Sequence, residues 1–196
     1  MFFWLRKCLL AFLLGVLTFT PWEILMVRAE IVSFSRPEFL GIPRWMPIVF
    51  GAGTVALVVL FYLLERLFHF QASYQGGKLV LEYLMIAVVY TAVLFFKVSP
   101  YLLSLGLFTL LVLRLILFHR PWDLTVFLIG ACFGPTLELF LTNLHLYSFT
   151  EPDFLGMPYW LPLLWGTVSL AMRRLTWVLI PTPAEPGRPG PWEDKP

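Results

Sequence analysis

Two glutamates stand inside hydrophobic runs of this chain, Glu23 and Glu138, 115 residues apart. A carboxyl in a membrane-spanning helix costs on the order of 2.5 to 3.5 kcal/mol at the bilayer centre. Each follows a proline in its own run, Pro21 before Glu23 and Pro135 before Glu138. Such a proline leaves a carbonyl one turn earlier without its donor and kinks the helix, so that helices splay and line a cavity. Thr142 and His145 follow Glu138 at i+4 and i+7, and Glu30 follows Glu23 at i+7, spacings that share one helical face. This pattern points to a polar spot in a lipid-filled cavity, with Glu23, Glu138, Thr142 and His145 as lipid-binding residues that meet a head group or hydroxyl. Two other readings stand beside it. Each protonated Glu serves structure by bonding a neighbouring helix, or the two act as acid and base if their surroundings separate their pKa values.

The remaining ionisable groups carry weaker signals. Glu65 with Arg66, and Arg114 with His119 and Arg120, fall near one membrane boundary and read as snorkelling interface residues. Arg173 and Arg174 interrupt the last hydrophobic run and are expected to snorkel likewise. Lys97 and Glu82 mark opposite ends of the third run, and His69 is isolated in a loop. There is no H-E-x-x-H, Gly-rich phosphate loop or nucleophile elbow. No catalytic residue, metal ligand or cofactor is therefore assigned. Cys8 and Cys132 lack a C-x-x-C or Cys/His partner and read as buried free thiols.

The elements that hold these residues follow from composition. Of 196 residues 59% are hydrophobic and only 13% charged, and the mean hydropathy is +0.81. A soluble domain carries about 25% charged residues, so too few charges remain to cover a surface in water. Lipid is the solvent for most of this surface. The net charge of +2 and the lack of a long Lys/Arg cluster exclude nucleic acid as a partner.

Six runs are long enough to cross a ~30 Å apolar core, at about 20 residues each. They are Cys8 to Val27, Pro47 to Leu67, Leu79 to Phe96, Tyr101 to Phe118, Leu124 to Tyr147 and Tyr159 to Ile180. In lipid each must be helical, because only a helix satisfies its own backbone hydrogen bonds. The expected fold is all-α, a polytopic membrane protein with six transmembrane helices in a single domain over 1–180. The Pro/Gly-rich segment 181–196 is expected to be a disordered cytoplasmic tail. Arg6, Lys7, Arg66, Lys78, Arg120, Arg173 and Arg174 fall on one side if the six runs alternate. The positive-inside rule then places both termini in the cytoplasm.

Self-similarity is the strongest signal. Residues 34–51 read FSRPEFLGIPRWMPIVFG and residues 149–166 read FTEPDFLGMPYWLPLLWG, with nine of eighteen positions identical. The same offset carries Glu23 onto Glu138 and Gly15 onto Gly130. Helices 1 and 2 are thus expected to be related to helices 5 and 6. Four spans between equivalent points restore the same direction, which gives a parallel repeat with a pseudo-twofold axis along the membrane normal. The repeat also argues against a cleaved signal peptide at the first run, despite Arg6, Lys7 and a passable cleavage site at Val27-Arg28-Ala29. In both loops Pro and Gly suit a rigid turn. Pro47 and Pro162 suit the first turn of the next helix, and Trp45 and Trp160 suit interfacial anchors. Glu38 and Asp153, with those tryptophans, are the candidates for partner or loop contacts.

The stretch Leu146-Tyr147-Ser148-Phe149-Thr150-Glu151-Pro152-Asp153-Phe154-Leu155, followed by Trp160-Leu161-Pro162, resembles the insulin-induced gene (INSIG) family. That family has a Tyr-x-Tyr-Thr-x-Pro-Asp-Phe-Leu segment before a Trp-Leu-Pro. The start Trp45-Met46-Pro47 is similar to the family's Trp-x-Pro start of helix 2. The resemblance implies a six-helix bundle, in a compact prokaryotic relative, around a cavity that holds a sterol or diacylglycerol-like membrane lipid. In animal members it also implies partner membrane proteins with sterol-sensing domains. Those members carry an acidic residue after Phe at the cytoplasmic end of helix 4, where this chain reads Phe118-His119-Arg120, with Asp123 further on. Glu138 has no acidic counterpart in the family. The expected function is regulatory lipid binding. The alternatives are an intramembrane enzyme on an isoprenoid or carotenoid-type lipid using Glu23 and Glu138, or a small transporter.

Overall fold

The computed structural model describes residues 2–68, 76–96 and 99–180. His69, Lys97 and the tail 181–196 lie outside the described residues. Six helices and two short strands follow in the order α1 (Phe2–Arg28), β1 (Val32–Phe34), α2 (Met46–Leu67), α3 (Gly76–Phe96), α4 (Pro100–Phe118), α5 (Asp123–Asn143), β2 (Tyr147–Phe149) and α6 (Leu161–Leu179). Helices α1 to α5 are each long and apolar enough to cross a membrane. They show lipid-solvated surfaces, with Leu17, Leu63, Phe95, Leu105 and Phe133 all exposed.

The sixth helix is different in kind. It touches every other helix, and from Gly166 to Trp177 every residue is buried. Arg173 and Arg174 therefore lie inside the bundle rather than at its rim. Pro21 and Pro135 sit within helices that continue past them. Proline at the first turn begins α2 and α6, as expected at a position whose donor has no intrahelical acceptor.

The closest helix pairings are α1 with α2 and α5 with α6. Small residues let them approach, which in lipid is a main source of helix association. A Cβ on Gly15 would strike Thr54, and one on Gly130 would strike Ser169. A Cβ on Gly51 would strike the Phe12 ring, and one on Gly166 the Phe127 ring. In each comparison the second contact lies 115 residues beyond the first.

After α1 and α5 the chain turns through a residue in the left-handed region, Glu30 (φ 56°) and His145 (φ 54°). The strands that follow pair antiparallel, Val32 with Phe149, Ser33 with Ser148 and Phe34 with Tyr147. The Ser33 and Ser148 hydroxyls meet at 3.0 Å. Further on, Phe39 bridges Ile42 and Phe154 bridges Met157. The two central residues of each turn have positive φ, Leu40 and Gly41 (52° and 89°), Leu155 and Gly156 (52° and 78°). That is the signature of a type I′ turn. Gly takes such a φ without strain. The leucines do so at a cost of about 1 to 2 kcal/mol. Their side chains, with Phe39 and Phe154, are exposed at the loop tips.

Several expectations are corrected here. The fifth helix ends at Asn143 rather than Tyr147, because the residues beyond it join the β-ladder. Cys132 is exposed on the lipid-facing side of α5 and Cys8 is only half-buried. A thiol is apolar enough for either environment. Trp160 is 4% exposed, against 39% for Trp45. Trp160 packs edge-on against Phe149, with centroids 6.3 Å apart, and is a core residue rather than an interfacial anchor.

Candidate functional site

Two polar centres occupy this apolar bundle. The first is built on Glu23 and Glu138, both half-buried. Their carboxyls interact electrostatically with each other and with the buried Tyr90 of α3. The Trp165 indole donates to Glu138 Oε1 at 3.1 Å and ties α5 to α6. The residue equivalent to Trp165 by the 115-residue offset is Phe50, which has no donor to give. Trp22 stacks on Tyr90 with ring centroids 5.2 Å apart and ties α1 to α3.

Thr142 and His145 do not join this centre. Thr142 donates its hydroxyl to the carbonyl of Leu139 at 3.0 Å. His145 lies past the end of α5 with a left-handed φ, so the i+7 face it was expected to share with Glu138 is not continued. Its carbonyl accepts from the Ser35 hydroxyl, and its side chain is exposed. Glu30, beyond the end of α1, departs from its helical face for the same reason. Thr142 and His145 instead line an open groove of about 400 Å³ with Ser33, Ser35, Tyr147 and Ser148 at the β-ladder.

The loop acids are engaged within their own loops. Glu38 pairs with Arg44 at 3.2 Å, both side chains exposed. The Tyr159 amide donates to Asp153 Oδ2 at 3.0 Å.

The second centre was not anticipated. Three arginines and three acids, all 4% exposed or less, form one network at the opposite end of the bundle. Asp123, in the first turn of α5, is its hub. Its Oδ2 accepts from Arg114 at 2.7 Å, from Arg174 at 3.3 Å and from the Arg120 amide at 3.0 Å. Its Oδ1 accepts from Arg173 at 2.9 Å. Arg114 also forks onto Glu82, at 2.5 and 3.4 Å. Arg173 reaches Glu65 at 2.8 Å and the Pro121 carbonyl at 2.8 Å. Arg173 and Arg174 both cover the Trp177 ring, at 4.7 and 4.6 Å.

Glu65, Arg114, Arg173 and Arg174 are therefore not snorkelling, as their sequence positions suggest. Burying one such charge alone is costly, and the cost is met only when every partner is present with good geometry. The signal available in sequence was the count. Three arginines and three acids sit near one level of an otherwise charge-poor bundle, and intramembrane charges pair with one another by preference.

Two further grooves are described. One, of about 650 Å³, is an apolar trough over α1 and α2. The other, of about 150 Å³, opens beside the charged network. Neither these nor the groove at the β-ladder is lined by Glu23 or Glu138.

No protein-family profile and no curated protein sequence matches the chain. Solved structures do match by fold. A cross-linked trimer of the protein MvINS superposes with a TM-score of 0.77 at 15% identity, over 89% of this chain and 94% of that one. The mycobacterial Insig homolog MvINS from Mycobacterium vanbaalenii gives 0.76 at 15% identity, over 91% and 97%. This chain is thus an integral, multi-pass helical membrane protein with the fold of a bacterial Insig homolog.

Proposed function

We propose that this protein is an Insig-like regulator that binds a weakly polar membrane lipid, and that Glu23 and Glu138 receive the lipid's hydroxyl or head group. One observation carries this reading. Glu138 stands at the α5–α6 contact with the Trp165 indole donating to it at 3.1 Å, within electrostatic reach of Glu23 and of the buried Tyr90. A sterol or diacylglycerol-like lipid offers the matching chemistry, a hydroxyl on a large apolar body. The likeness to a bacterial Insig homolog supports the same class of protein. The matched turns, glycine contacts and ladder, all at an offset of 115 residues, support the reading that helices α1 and α2 repeat as α5 and α6. The cluster of basic residues at the charged end supports cytoplasmic termini.

The test is lipid mass spectrometry on protein purified in mild detergent, with Glu23→Gln and Glu138→Gln in parallel. One enriched, weakly polar lipid class is expected in the parent. Its retention should fall about tenfold in Glu138→Gln, the worth of one lost hydrogen bond of about 1.4 kcal/mol. The same bulk lipids in all three samples would overturn the reading. The Trp165 bond favours a second role for Glu138, in which its carboxyl only pins α5 to α6. In that case Glu138→Leu, which cannot accept the indole proton, melts earlier and its lipid content is unchanged.

A further inference from the structure

The charged network has an edge that its own members do not complete. Arg114, Arg173 and Arg174 face Glu65, Glu82 and Asp123, three charges against three. Arg114 is fully engaged by its fork onto Glu82 and its bond to Asp123. Arg174 is not. Its Nη2 makes two long contacts, 3.3 Å to Asp123 and 3.4 Å to the Phe118 carbonyl. Its Nε stands 3.5 Å from Glu82 without a hydrogen bond, and its Nη1 has no acceptor among the described residues. The side chain is 3% exposed. A buried donor of this kind calls for an acceptor of its own.

Arg174 lines the groove of about 150 Å³ between α3, α4 and α6, together with Lys78, Glu82, Arg114 and Phe118. Lys78 belongs to no ion pair of the network and lies within electrostatic reach of Arg174 and of Arg120. Lys78 and Arg120 add two positive charges beside a network that sums to zero. The field at the groove is therefore positive, and it favours an anion. The wall is apolar and continues out of the groove. Leu81, Leu84 and Val88 of α3 are 41%, 56% and 47% exposed, at spacings that form one stripe along the helix. An anion-binding base under a lipid-facing apolar stripe is the shape of an amphiphile site. A guanidinium fork with an ammonium beside it matches the oxygens of a phosphate.

We propose that this groove binds a phosphate-bearing anionic lipid, with its phosphate on Arg174 and Lys78 and one acyl chain along Leu81, Leu84 and Val88. This site is at the other end of the bundle from the carboxyl pair and does not rest on the function proposed above.

The test is native mass spectrometry of the full chain in mixed micelles holding equal phosphatidylglycerol and phosphatidylcholine. The parent should retain phosphatidylglycerol about tenfold over phosphatidylcholine. Lys78→Gln, at the half-exposed start of α3 and outside the ion pairs, should cut that preference several-fold with its melting temperature kept. Arg174→Lys keeps the charge and loses the fork, and should cut the preference too. Equal retention of both lipids by the parent would overturn the proposal, and so would a preference unchanged in a folded Lys78→Gln. Millimolar inorganic phosphate distinguishes the source of the anion. Phosphatidylglycerol that stays bound supports a lipid, and phosphatidylglycerol displaced would mean a soluble phosphate, against the proposal. Glu138→Gln should leave this preference unchanged, so the two sites fail separately.

Discussion

The hairpin α1–β1–α2 and the hairpin α5–β2–α6 are built alike and used differently. In both, a glycine near mid-helix is pressed against a hydroxyl-bearing residue, Thr54 or Ser169. In both, a second glycine lies under a phenylalanine ring, Phe12 or Phe127. Their loops share a ladder, left-handed positions and paired turns. Yet α2 meets lipid along much of its length, whereas α6 is enclosed by the other five helices. The substitutions follow this placement. Val58 and Val59 of α2 stand where α6 has Arg173 and Arg174, Cys8 stands where α5 has Asp123, and Phe50 stands where α6 has Trp165. Local sequence shapes a hairpin. Its neighbours decide whether a charge within it can be afforded.

The sharpest way to break this comparison is at Asp123. Asp123→Ala leaves three buried arginines without their shared carboxylate, a loss of about 3 to 5 kcal/mol. The expected result is a large drop in melting temperature, or loss of the monodisperse peak on size exclusion. A variant that melts with the parent would mean that the central hairpin tolerates loose charges as an outer one does not.

The close helix contacts give the next largest effect. Gly15→Ala and Gly130→Ala each push a methyl into a hydroxyl side chain and toward a carbonyl, that of Phe50 or Trp165. Overpacking of this kind costs about 1 to 3 kcal/mol. Denaturant titration in micelles should show two similar losses if the hairpins are mechanically equal. A much larger loss for Gly130→Ala would show that enclosure stiffens the inner pair.

The smallest effect sharpens the comparison. Trp165→Phe places in α6 the residue that α2 already has, and takes the donor from Glu138. One hydrogen bond lost is worth about 1 kcal/mol. An unchanged melting curve would show that the indole bond contributes nothing to holding α5 on α6.

Much of the fold was legible because hydrophobic length is a direct consequence of the bilayer. The five lipid-facing helices read as apolar runs for that reason. The loops were legible from Pro and Gly at matched positions, since proline fixes φ and glycine opens the left-handed region wherever they stand. The candidate site was legible in part. Glu23 and Glu138 stood out as carboxyls in apolar runs, and Glu138 does take a partner across helices, the Trp165 indole. His145 was misplaced because a helical spacing was continued past Asn143, where the backbone leaves the helix for the ladder, and Thr142 because its hydroxyl turns back onto the Leu139 carbonyl. Arg114, Arg173 and Arg174 were misread because a terminal-looking arginine snorkels or pairs according to what lies beside it, and its partners lie up to 108 residues away.

That this protein lives in a membrane, where its helices run, and that two loops share one design could all be read from the residues alone. Those properties follow from transfer free energy and backbone restriction, which act within a few residues of chain. It took the closing of the bundle to make α6 the hub and to set six charges against one another at one end. Coulomb energy and desolvation depend on distances between helices, and those distances are set when the bundle closes.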